Sequence, residues 1–332
     1  MLKKPVFSKK VVRKILSDYN LGSIITIKPL ATSGNITFLI LTTKEKFILR
    51  ICPERERWRS KQEIAAELEL IDYLLKNKFP APAPVCKKDN SCIIAWNNKF
   101  GYLRHYNKGI AYLTPTLNQV EIFGSLIGRF HKLIEGYKTK NKRMHIWDLE
   151  KTKKNFEELK KIVLKSDIKN KSQFIKRAEQ EFSKLHFPNN LPKGMIHEDL
   201  GQRHILWKND KISCVIDFDR CYYGKLILDL GQAIRGWCFI DNWKKWSNSN
   251  FKALLKGYNS KRKITALEKR YLFDAVKFAV LERGLSFYWR YIEVTKDKED
   301  EKFAWYSVFE DGLIGMLDKN KMKIENIIKR TT

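Results

Sequence analysis

Two short stretches of this 332-residue chain place carboxylates where a purely structural role is costly. The first reads His197-Glu198-Asp199-Leu200-Gly201-Gln202-Arg203-His204-Ile205-Leu206, and the second Val215-Ile216-Asp217-Phe218-Asp219. In each, an acid stands at the edge of an apolar, strand-like run. A charge beside buried strand residues is expensive unless it meets water, a cation or hydrogen-bond donors. A divalent metal carrying a bound phosphate is one arrangement that meets this need. A turn or a loop-end cap is the plain alternative for either aspartate alone.

Phosphoryl transfer requires few parts. One carboxylate orients the attacking hydroxyl and accepts its proton, a role for which Asp199 is the candidate. A second carboxylate, on a neighbouring loop, holds the metal against the phosphates, and Asp217 is placed to do so. A basic residue steadies the phosphates and is itself braced by a glutamate. Arg50, near the end of a strand, and Glu67, on the helix that follows, supply that pair. An ordinary surface ion pair is the alternative for these two, and such a pair contributes little to stability.

The flanking patterns show which elements hold these residues. The β-branched runs ITFLILTT (36–43) and KFILRI (46–51) predict two antiparallel strands joined at Lys44-Glu45. A helix follows over Gln62 to Lys76, with Ile64, Leu68, Ile71 and Leu75 on one face, and the PAPAP run at 80–84 ends it. CIIAW (92–96) and GYLRHY (101–106) predict a further hairpin. Beyond Gly109, Val120 to Ile134 is an amphipathic helix. The Lys/Glu-rich segment 148–186 reads as surface helix with a thin apolar face, and 226–328 as mostly helical.

Taken together, these motifs resemble the aminoglycoside phosphotransferase/choline kinase superfamily. Its catalytic loop reads H-x-D-x-x-x-x-N, and its metal loop is an apolar strand ending I-D-F. His197, Asp199 and Leu200 fit the first, and Ile216, Asp217 and Phe218 the second. Asp229 matches a further family aspartate that opens a helix, and Arg129 to Leu133 matches an R/L-F-H-x-L helix. Glu67 stands thirteen residues before Pro80, as the family's E…P-x-P pattern expects. Ser33, Gly34 and Asn35 fall at the phosphate-loop position. Trp237-Cys238-Phe239 and the segments 254–269 and 285–293 are similar in order to the bacterial homoserine kinase branch, although the last helix reads differently.

The resemblance implies an α+β, two-lobed, protein-kinase-like fold. Its N-lobe, residues 1–105, is a small antiparallel sheet with one helix, and its larger, mainly helical C-lobe spans 106–332. ATP is expected between the lobes, its adenine against Arg104, His105 and Tyr106. Trp237 and Tyr288 are the expected acceptor-lining aromatics, and His197 and Asp229 support the catalytic loop. The implied activity moves the γ-phosphate of ATP to a small-molecule hydroxyl, with homoserine or a similar hydroxylated amine or amino acid as first choice. An aminoglycoside or choline-type acceptor is the alternative, and a fold that binds ATP or a partner without transfer is the alternative of another class.

Two positions depart from the family pattern. Arg50 stands where the family has mostly lysine, and a guanidinium still grips phosphate. His204 stands where the family has asparagine as second metal ligand. Mg²⁺ prefers hard oxygen donors, so Gln202 or Asp219 could supply the missing oxygen, or Mn²⁺ could serve in its place.

Composition narrows the remaining classes. The net charge of +28, from 65 Lys+Arg against 37 Asp+Glu, is spread along the chain instead of forming one stripe. That distribution argues against nucleic-acid binding as the main role while favouring anionic ligands such as ATP. The six cysteines form no CxxC pair and no zinc spacing, and are expected as reduced thiols. No apolar run reaches the ~18 residues of a membrane span, so a cytoplasmic protein without membrane partners is expected. Oligomeric state is open at this level.

Overall fold

The computed structural model describes residues 7–30, 35–52, 60–165 and 170–331. The chain opens with helix α1 (Lys9–Leu16), capped by the Ser8 hydroxyl, and continues into strands β1 (Ile24–Leu30), β2 (Ile36–Thr42) and β3 (Lys46–Ile51). Helix α2 (Lys61–Lys76) follows, then β4 (Pro84–Val85), β5 (Ile93–Trp96) and β6 (Lys99–His105). The strands form one antiparallel sheet in the order β1-β2-β3-β6-β4, with β5 also paired to β6. Alternate apolar residues from both hairpins and α1 meet in a small core of Val12, Leu16, Ile40, Leu49 and Leu103. The two strands predicted over 36–43 and 46–51 thus lie where the alternation put them, and β3 pairs on both sides.

Helix α2 is rotated from the face expected for it. Its buried stripe runs through Ile64, Glu67, Leu70, Ile71 and Leu74, while Leu68 and Leu75 are only half-buried. Glu67 is therefore inside the lobe, where its carboxylate accepts from the buried Tyr102 hydroxyl at 2.8 Å. Between β4 and β5 the backbone N–H of Lys87 donates to Ser91 and closes a turn. Cys86 and Cys92 flank that turn and are joined as a disulfide, which corrects the expectation of six reduced thiols. The turn brings the two together although their spacing fits no redox or metal motif. Cys52, Cys214, Cys221 and Cys238 are buried and not joined in disulfides.

The C-lobe begins with α3 (Leu117–Ile134), opened by a Thr116–Gln119 capping box, and continues through α4 (Leu149–Leu164) and α5 (Lys171–Ser183). Strands β7 (Lys193–Ile196), β8 (Ile205–Lys208), β9 (Lys211–Val215) and β10 (Tyr222–Lys225) then make two small antiparallel pairs, β7 with β10 and β8 with β9. Helix α6 (Leu226–Cys238) is buried along its whole length. A short hairpin of β11 (Phe239–Ile240) and β12 (Lys245–Trp246) leads to α7 (Asn248–Asn259), the long α8 (Ala266–Arg290), α9 (Lys298–Val308) and α10 (Leu313–Arg330). Among the described residues no helix is long and apolar enough to cross a membrane.

The segment 148–186 is bound more tightly than a thin apolar face suggested. Phe156, Leu159, Val163, Phe174, Ile175 and Phe182 all enter the C-lobe core, and Glu181 is fully buried beneath Lys277, Arg177 and Lys184.

Helices α3 and α7 cross at glycine. A Cβ on Gly257 would lie 2.0 Å from the Glu121 carbonyl oxygen, so the helices touch backbone to backbone. Gly257→Ala is expected to destabilise the fold by about 3 kcal/mol through overpacking, read as a lower thermal midpoint, since neither helix can move without disturbing the core.

Candidate active site

The loop after β7 is fastened from below. Asp229, fully buried in the first turn of α6, accepts the backbone N–H of His197 at 3.0 Å and of Glu198 at 2.7 Å. Those buried N–H groups need acceptors, and a carboxylate at a helix N-terminus is itself stabilised there. His131 Nε2 reaches the same carboxylate at 3.1 Å and its Nδ1 meets the Tyr258 hydroxyl, tying α3 and α7 to the loop. Glu198 adopts a left-handed backbone (φ 69°), which this double attachment holds in place.

His197 joins the two chemistry-bearing loops. Its Nε2–H donates to the Ile216 carbonyl at 3.1 Å, and its Nδ1 accepts from the Asp199 N–H at 3.2 Å. That pattern is satisfied by the neutral imidazole, and burial also pushes its pKa down.

Asp199 and Asp217 both face the space between the lobes with partly exposed side chains. Arg283 Nη2 donates to Asp199 Oδ1 at 3.3 Å. Burial alone would raise the Asp199 carboxyl, but Arg283, His204 and Arg220 outweigh it and hold it down at about 2. Asp217 has a left-handed backbone (φ 73°) and accepts from Arg50 Nη2 at 2.5 Å. Its carboxyl is likewise held below the usual range, burial being overcome by Arg50 and His204. Arg50 reaches Asp219 as well, at 3.2 Å, and Asn35 Nδ2 donates to the same carboxylate at 3.0 Å. The N-lobe strand thus touches the second acidic loop directly.

His204 stands between the two aspartates. Its Nδ1–H donates to the Asp199 carbonyl at 2.7 Å, leaving Nε2 3.3 Å from Asp217 Oδ2. The two carboxylates raise its pKa against the effect of burial, which would lower it. A nitrogen and a carboxylate oxygen facing one another at this distance fit one shared cation. The pair suits Mn²⁺, which accepts imidazole, better than Mg²⁺, which takes oxygen. Among the described residues no three His, Cys, Asp or Glu side chains form a closed cage, so the other positions of such a cation fall to phosphate oxygens and water.

Other expected site residues divide between the cleft and the core. Ser33 and Gly34 lie outside the described residues. Arg104 is buried at the end of β6, donating to the Asn107 side chain. His105 pairs with Glu45 at 2.8 Å, and Tyr106 is exposed. Trp237 and Tyr288, expected to line the acceptor site, are instead fully buried. Trp237 stacks on Phe123 and its Nε1–H donates to the Leu200 carbonyl at 3.0 Å, while Tyr288 packs on Phe174. Trp237 supports the loop after β7 from behind, and a large ring in that position gains more from the core than from a wet cleft.

Sequence reasoning missed the charged layer beneath Asp199. Glu198 accepts from Arg220 and from Gln232 at 2.9 Å, and Arg220 and Gln232 both reach Glu282. The signal was available in α6. Asp229, Gln232 and Arg235 recur every third residue on an otherwise apolar helix, which places polar groups along one buried face. A separate cavity of about 670 Å³ lies among α7 and α10, lined by Lys252, Lys256, Lys323 and Arg330 among others, and includes none of the residues above.

Known proteins resemble this chain in sequence and in fold. A family model described as "Phosphotransferase enzyme family" (APH) matches residues 26–261. A homoserine kinase of Agrobacterium fabrum is 26% identical over 265 residues, spanning 77% of this chain and 78% of that protein. Among solved structures, an amicoumacin kinase in complex with AMP-PNP and Ca²⁺ superposes with a TM-score of 0.71 at 17% identity, covering 96% of this chain and 94% of that one. A microcompartment-associated aminopropanol kinase gives 0.70 at 17% identity, covering 98% and 100%.

Proposed function

Because the chain belongs to the APH phosphotransferase enzyme family and is an ATP-dependent small-molecule kinase, we propose that it phosphorylates the hydroxyl of a small amino-acid-like acceptor, homoserine or a close relative. The observation that carries this reading is the opposed pair Asp199 and Asp217, bridged by His204 and met from the other lobe by Arg50.

In this reading ATP lies between the lobes with its adenine near Arg104 to Tyr106. Arg50, braced within the lobe that holds Glu67 and Tyr102, steadies the phosphates. A divalent cation held by Asp217 and His204 would neutralise charge on the phosphates. Asp199 receives the acceptor hydroxyl. A carboxylate held near 2 is a weak base, so its main contribution is to orient the hydroxyl and to take the proton late, as a loose transition state allows. Asp229 and His197 keep that carboxylate in position.

The reading is tested by ADP release from ATP across homoserine, serine, threonine, choline, ethanolamine and aminoglycosides, under Mg²⁺ and Mn²⁺. Turnover that depends on a small hydroxylated amine or amino acid supports it, and turnover confined to aminoglycosides replaces it. His204→Asn separately probes the cation. The variant is expected to move the Mg²⁺:Mn²⁺ activity ratio about tenfold towards Mg²⁺, because an amide oxygen replaces the ring nitrogen. An unchanged ratio removes His204 from the metal site.

A further inference from the structure

One cation beside the catalytic loop has no carboxylate of its own. Arg235 sits near the C-terminal end of α6, where that helix presses on the loop. A Cβ on the next residue, Gly236, would lie 3.3 Å from Gly201 Cα, and Trp237 holds the Leu200 carbonyl. The Arg235 residue is 93% buried, being only 7% exposed. Its Nε donates to Gln232 Oε1 at 3.0 Å, and its guanidinium lies 5.1 Å from the ring centre of Trp243. Among the described residues no carboxylate stands within ion-pair distance of it, and no group accepts a hydrogen bond from its terminal nitrogens.

The neighbouring charges do not fill the gap. Glu198 and Glu282 are engaged by Arg220 and Gln232. Arg283 is divided among Asp199 at 3.3 Å, Glu282 at 3.7 Å and Glu198 at 3.9 Å, and its buried Nε has no hydrogen-bond partner. Burial, and the proximity of Arg283, lower the Arg235 pKa to about 10, while Asp199 acts in the opposite direction. Two guanidinium groups are therefore close enough to Asp199 and to each other to interact, and one lacks a counter-ion. A buried charge left unpaired is costly, and a planar donor fork matches a carboxylate. The Trp243 ring limits the conformers of Arg235, so little ordering would be lost on binding.

We propose that Arg235, with Arg283 beside it, anchors the carboxylate of the acceptor, so that the acceptor is a small hydroxylated amino or hydroxy acid and not an amino alcohol or an aminoglycoside. This rests on the reading of Asp199 as the group that receives the acceptor hydroxyl. With the hydroxyl on Asp199, the other end of a short acceptor falls against these arginines. A polycationic acceptor would meet like charge there, which selects against it.

The test is calorimetric binding of L-homoserine and of 3-aminopropan-1-ol, the same molecule without its carboxylate, to the full chain with AMP-PNP and Mn²⁺. The wild-type protein is expected to bind homoserine about 30-fold more tightly, in keeping with a charge-assisted pair of hydrogen bonds. Arg235→Met is expected to reduce that preference to about threefold or less, with AMP-PNP affinity unchanged, and Arg235→Lys to keep part of it. Equal binding of the two compounds by the wild-type protein, no binding of any carboxylated acceptor, or a full preference retained in Arg235→Met overturns the proposal. Where Arg235→Met does not fold, Arg235→Lys carries the test, and a preference there as large as in the wild-type protein overturns the assignment. Phosphorylation of the amino alcohol without preference for homoserine sinks this proposal and leaves the kinase reading intact. Failure of AMP-PNP to bind instead undermines the kinase reading itself.

Discussion

Asp199→Asn is expected to lower kcat by about three orders of magnitude while leaving nucleotide affinity within about threefold of the wild-type value. The amide keeps the shape of the side chain and can still accept from Arg283, so the loop held by Asp229 and His197 should stay in place. In the proposed reading, what is lost is the negative charge that orients the hydroxyl and receives its proton. The nucleotide is held in that reading by Arg50, by the 104–106 segment and by the cation on Asp217 and His204, so its binding should not follow. Steady-state kinetics together with titration of AMP-PNP separate the two effects. A parallel collapse of nucleotide binding would mean that Asp199 organises the whole cleft and does not act on the acceptor.

The second large effect is expected at Asp217. Asp217→Asn should reduce kcat/KM by at least about a thousandfold and abolish the nucleotide-dependent binding of Mn²⁺ seen by electron paramagnetic resonance. The fold should survive. Arg50 keeps Asp219 as a partner, Asp219 keeps Asn35, and the Asp217 side chain is about one-third exposed, so solvent absorbs part of the change. A modest drop in the thermal midpoint is therefore expected beside a very large drop in activity. Mn²⁺ binding that persists in the presence of ATP would assign the cation to other ligands, with Asp219 the first to examine.

The candidate site residues were legible in the sequence because each is announced by a change of local pattern. Asp199 and Asp217 interrupt apolar strands, and Asp229 opens an apolar helix. Pairings through space were less legible. Glu67 was expected beside Arg50 and lies close enough to act on its charge, but the hydrogen-bonded partners of Arg50, Asp217 and Asp219, stand 167 and 169 residues away, where no local pattern points to them. Trp237 and Tyr288 were expected in the pocket because aromatic residues serve pockets and cores alike, and their buried environments decide for the core. The disulfide of Cys86 and Cys92 depends on a turn closed by backbone hydrogen bonds, which residue spacing does not reveal. The arginines around Asp199 come from α6, α8 and the loop before β10, and only the folded chain brings them together.

The most direct measurement is phosphorus-31 nuclear magnetic resonance of the full chain after reaction with ATP, L-homoserine and either Mg²⁺ or Mn²⁺, the paramagnetic Mn²⁺ being removed by chelation before its spectra are recorded. A new phosphate monoester resonance that grows in step with ADP, and that is absent with Asp199→Asn, is the expected result. ATP that binds yet yields no ester with homoserine or any other hydroxylated amine or amino acid, under either metal, would contradict the central claim.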